Sequence, residues 1–141
     1  MNKITVSKYG TTLGNLLVFV SIFLPWYHGN IYGAEKIYTG FYLASVSMAF
    51  WVLYLLPLLS GIVLAGYILH HFNREITLTM LSPKILIFSL SVIMIIIIFV
   101  VLTFTPAGIM SPVMNNLCIG GYTAITGALL SLIFSAPILN L

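Results

Sequence analysis

The chain has 141 residues, 61% of them hydrophobic and 5% charged, with a formal net charge of +3. Soluble domains carry roughly 25% charged residues, so so apolar a chain cannot clothe a water-facing surface, and lipid is its expected solvent. Its five scattered basic residues make no nucleic-acid footprint, which needs Lys and Arg clustered on one face, and its single cysteine, Cys118, excludes an internal disulfide or a cysteine metal cluster.

Lys3 and Lys8 precede an apolar run, Leu16–Leu24. A cleaved leader would run on into small residues. Here the run ends in the bulky Leu24-Pro25-Trp26-Tyr27, so it reads as an uncleaved span over about Tyr9–Trp26, with Asn15 inside it. A spanning helix needs about 20 apolar residues, so this one is slightly short.

The next segment, about 27–46, holds Tyr27, Tyr32, Tyr38, Phe41 and Tyr42 beside Trp26, with Gly29, Gly33 and Gly40 to let the chain turn. Trp and Tyr gather at the edge of a bilayer because their rings are amphipathic. The expected structure is an outer loop, with Lys36–Ser47 as a short interfacial helix leading into a second span.

That span covers about Ser47–His70, with Pro57 expected to kink it and Ser60 placed to satisfy a freed carbonyl. An inner loop follows at about 71–83, then a third span, Lys84–Phe104, containing "VIMIIIIFVV". An outer loop, Thr105–Asn115, has no charge, and a fourth span covers about Asn116–Pro137. No ten-residue alternating pattern of a membrane barrel is visible, so the expected fold is all-α: a polytopic bundle of four transmembrane helices in one membrane domain. Lys3, Lys8, Arg74 and Lys84 fall on one side and only Lys36 on the other. The positive side faces the cytoplasm, so both termini are expected inside a cell membrane.

Contact between helices in lipid favours small residues. The first span offers Gly10-x-x-x-Gly14 and the second Gly61-x-x-x-Ala65, with Gly66 adjacent. In the fourth, Gly120, Ala124 and Ala128 recur every four residues beside a second row of Gly127, Ser131 and Ser135. The third has only Ser89 and Ser91, near its inner end. The fourth helix is therefore expected at the centre of packing and the third against lipid or a partner.

Residues that could carry chemistry are few. His70 and His71 are neighbours, and side chains adjacent on a helix point about 100° apart, so one helix cannot offer both to one metal. At the cytoplasmic end they suit the helix C-terminal dipole and anionic headgroups. His28, Glu35 and Cys118 are the remaining candidates for a metal, without any known ligand spacing, and a hydrolytic zinc needs three protein ligands. Met110 and Met114 could offer soft sulfurs to copper but also suit packing against lipid. The span interiors contain no ionisable group of the kind proton-driven transport uses. No phosphate loop, nucleophile elbow or zinc-protease pair occurs, so neither a cofactor nor self-contained catalysis is expected.

The first helix ending in Leu24-Pro25-Trp26 before a Gly-containing outer loop, and the last opening "GGYTAITGALLSLI" over Gly120–Ile133, resemble a loose class of small four-helix bacterial and archaeal membrane proteins without assigned function. That resemblance implies topology and no site. Claudin-like proteins share four spans and an aromatic first loop, but the loop here lacks their cysteines and second tryptophan. The expected role is a non-catalytic accessory or assembly subunit packed against other membrane subunits. The alternatives are a small channel or carrier built by oligomerisation, with a polar stripe drawn from Thr11, Asn15, Ser21, Thr123 and Thr126, or a subunit lending His28 or His70 to a shared cofactor site.

Overall fold

The computed structural model describes residues 3–31, 34–46, 48–72, 83–103 and 113–136. In chain order these form α1 (Lys3–Ser21), β1 (Pro25–Ile31), β2 (Ala34–Thr39), α2 (Gly40–Val46), a 3-10 turn (Met48–Tyr54), α3 (Leu55–Phe72), α4 (Pro83–Thr103), a second 3-10 turn (Val113–Asn116) and α5 (Ile119–Ser135). The described chain is mostly helical. Among the described residues two stretches, Phe50–Leu69 and Ile85–Thr103, are long and apolar enough to cross a bilayer, while Ile119–Ser135 is apolar but shorter. Only 22% and 28% of the two long stretches is buried within the protein, respectively, unlike the core helix of a soluble domain.

Proline sets two of the boundaries. Pro25 disfavours helical geometry at Leu24, so α1 stops at Ser21 and Pro25 opens a strand instead of closing a helix. Pro57 was expected to kink the second span mid-way; instead it sits in the first turn of α3, where its missing N–H costs little. Ser60 donates to the Leu56 carbonyl at 2.8 Å. The stretch before α3, expected as the start of a regular helix, is the tighter 3-10 turn.

The all-α expectation fits the helices, and the outer segment departs from it only locally. Where a loop and an interfacial helix from Lys36 were expected, β1 and β2 pair antiparallel, and helix α2 begins only at Gly40. Tyr, Ile and Thr fit a pleated strand well, and here they alternate. Tyr27 opposite Tyr38 faces inward and both are buried; His28 opposite Ile37 faces out. The register shifts between Pro25 and Tyr27. This bulge lets two consecutive residues, Trp26 and Tyr27, both be buried, which a regular strand would forbid.

The hairpin is fastened over one end of the bundle. The Trp26 indole donates to the Ser21 carbonyl at 2.8 Å, and the Trp26 carbonyl accepts from the Cys118 N–H at 2.8 Å. Gly40 and Gly120 leave room for the indole: a Cβ at either would stand 2.7 or 2.6 Å from ring atoms of Trp26, respectively.

Below it, α1 and α5 run antiparallel in close contact. A Cβ at Gly14 would lie 2.6 Å from the Gly127 carbonyl oxygen, and one at Gly127 would lie 2.6 Å from that of Gly14. Gly10 faces the Phe134 ring, and the Ser7 hydroxyl donates to the Phe134 carbonyl. Helix α4 packs on α5, and α3 on α1. The apolar core joins Val18, Phe50, Leu53, Met94, Val101 and Ala128.

Candidate functional site

The candidate site is a group of polar side chains in the interior of the helices. Thr11, Asn15, Ser91 and Ser131 are each at most 1% exposed. They come from α1, α4 and α5. Buried polar groups need partners, and most of these find them. The Asn15 amide donates one N–H to the Thr11 carbonyl and the other to the Ser131 hydroxyl, both at 2.9 Å. Ser131 and Ser91 share a hydrogen bond of 2.7 Å. Ser91 also donates to the Ile87 carbonyl at 2.9 Å, so the proton between the two serines is the one on Ser131. The result is a one-way chain from Asn15 through Ser131 and Ser91 to a backbone carbonyl, crossing three helices. Thr11 donates to the Ser7 carbonyl at 2.9 Å, and its side chain hydrogen-bonds with Tyr67 of α3. Among the described residues one atom, Asn15 Oδ1, has no partner.

The polar stripe drawn from the sequence is brought together in part. Thr11, Asn15 and Ser21 are buried. Thr126 faces out and bonds the carbonyl of Tyr122 in its own helix at 2.9 Å. Thr123 does the same with Ile119 at 2.7 Å. Sequence reasoning missed the pairing of Asn15 with Ser131 and of Ser131 with Ser91. Asn15 inside a span was the signal that partners had to exist.

The metal candidates stay apart. His28 and Glu35 lie on the exposed face of the hairpin, while Cys118 is half-buried at the mouth of α5, with its Sγ near the Asn116 carbonyl. Among the described residues no three His, Cys, Asp or Glu come together as a metal site. His70 and His71 end α3, and their side chains, like Tyr32, Arg74 and Met110, lie outside the described residues. Met114 is exposed.

The aromatic rim is redistributed. Trp26, Tyr27 and Tyr38 are in the interior, whereas Phe41, Tyr42, Trp51 and Tyr122 are exposed. Tyr42 stacks on Tyr38 with ring centres 5.5 Å apart, and the Lys36 ammonium sits 4.9 Å from the centre of the Tyr42 ring, within cation–π reach.

The small-residue rows divide by partner. Gly10, Gly14, Gly127 and Ser131 join α1 to α5, Gly120 instead seats Trp26, and buried Ala128 borders an apolar groove beside Ile98 and Leu102 of α4. Among the described residues a Cβ at Gly61 would meet only the Phe19 ring of α1, at ordinary contact distance, and one at Gly66 would meet nothing within 4 Å, while Ala65 is exposed.

No protein-family model matches the chain, and comparison with curated proteins and with solved structures returns no match.

Proposed function

We propose that the chain is a polytopic membrane protein with four spans, both termini cytoplasmic and the hairpin outside, acting as a non-catalytic accessory or assembly subunit of a larger membrane complex. One observation carries the membrane reading. Large aliphatic and aromatic side chains stand exposed on all four long helices, among them Leu16, Ile62, Ile96, Phe99 and Leu129. Soluble monomers rarely expose contiguous apolar surface on that scale. In lipid the same surface costs nothing.

The accessory reading draws on what the interior does. The buried polar groups bond to one another where α1 and α5 touch backbone to backbone, which favours a packing role for them over a conducting one. The outward surface is β-branched and aromatic along α4, the most apolar helix, and suits either lipid tails or another apolar helix. The experiment is purification from native membranes in mild detergent, with a photo-crosslinking residue at Ile96 and mass spectrometry of what is captured. Stoichiometric larger membrane subunits, crosslinked through α4, support the reading. A lone homo-oligomer crosslinked only to lipid sinks it and leads to flux assays for a channel.

A further inference from the structure

The buried cluster has more acceptors than protons to fill them. Ser91 spends its proton on the Ile87 carbonyl, Thr11 spends its own on the Ser7 carbonyl, and the Tyr67 hydroxyl donates to the Thr11 oxygen. Ser131 spends its own on Ser91, and Asn15 spends both amide protons on Thr11 and Ser131. Asn15 Oδ1 is left with none, in a residue 0% exposed. Turning the amide over gives no relief, because Oδ1 would then face the Thr11 carbonyl, oxygen against oxygen. An unmet acceptor at such a depth carries its full desolvation cost. A group that meets Oδ1 must therefore donate and has no need to accept.

We propose that a single water molecule is a resident ligand of Asn15, donating one proton to Oδ1 inside the helix bundle. Its second proton has spare lone pairs on the hydroxyls of the same cluster. A monovalent cation satisfies the same donor rule, but it must shed its hydration in a neutral interior, and that penalty is large for any ion without a charged partner. A water loses far less on immobilisation. Buried waters bind to interior polar groups that would otherwise go unmet.

The test is water-to-protein magnetisation transfer by solid-state NMR, on wild-type protein in liposomes with 13C-labelled asparagine and valine. It is run at low temperature, where hydroxyl exchange is slow. The reference is Val18, one turn away and equally buried. The expected result is transfer to the Asn15 side-chain carbon several-fold faster than to Val18, and comparable with that to exposed Asn30. Transfer as slow as at Val18 overturns the proposal. So does a chemical-shift change at Asn15 when sodium replaces choline in the buffer, since the occupant is then a cation.

Discussion

Gly14 and Gly127 meet backbone to backbone, each so placed that a methyl group on it would lie 2.6 Å from the other's carbonyl oxygen. Neither oxygen can swing away as a side chain would, so the helices themselves must part. Gly14→Ala and Gly127→Ala are each expected to cost about 1–3 kcal/mol, the usual range for overpacking. Gly66→Ala, where the added methyl meets nothing, is expected to stabilise by roughly 0.5–1 kcal/mol through helix propensity. Unfolding titrations of the three variants in detergent check both signs. Equal losses at all three would mean that α1 and α5 are not in contact.

Trp26 and Trp51 are the chain's two tryptophans, one 0% and the other 67% exposed. Single-tryptophan variants, Trp51→Phe and Trp26→Phe, separate them. In liposomes containing brominated lipid, fluorescence from Trp51 is expected to be strongly quenched and that from Trp26 nearly spared. Quenching of both alike would place the hairpin's anchor in the bilayer edge and not inside the protein.

Asn15 and Ser131 are expected to be energetically coupled. Ser131→Ala leaves an amide proton unmet and should cost about 1–3 kcal/mol. Asn15→Leu removes that proton together with the unpaired Oδ1, so the double variant should lose less than the sum of the singles. The coupling expected is roughly 0.5–2 kcal/mol, the range for residues in one network. Additive losses in this double-mutant cycle would show that the two side chains do not interact.

His28 reports which side of the membrane the hairpin occupies. Its side chain is exposed, so His28→Cys in a Cys118→Ser background offers one accessible thiol. A membrane-impermeant maleimide is expected to label it in intact cells. Labelling only after the cells are opened would reverse the proposed orientation.

Much of the helical packing was legible in the sequence, because small residues four apart have few other uses in an apolar helix. Gly10, Gly14, Gly127 and Ser131 could be picked out on that rule. The same rule misdirected Gly120, since it reports that a neighbour is close without saying whether it is a helix or an indole. The hairpin was hidden for a different reason. Trp26, Tyr27 and Tyr38 satisfy the composition of a bilayer edge as well as that of a buried strand pair, and the bulge at Trp26 breaks the alternation that would have betrayed β1. The serine links were invisible because Ser91 and Ser131 lie 40 positions apart, and nothing local relates them.

The bond between Asn15 and Ser131 joins residues 116 positions apart in the chain. Contacts so remote in sequence are late to form, because the intervening chain must first be ordered. During synthesis α1 therefore enters its surroundings long before α5 exists, with the Asn15 amide and the bare backbone at Gly14 still waiting for their partners. For that interval α1 is a helix with an open polar seam. Its safe passage depends on how quickly α5 arrives and on what shields the seam meanwhile, so a delay engineered before α5 should expose nascent chains to quality-control proteolysis that Asn15→Leu escapes.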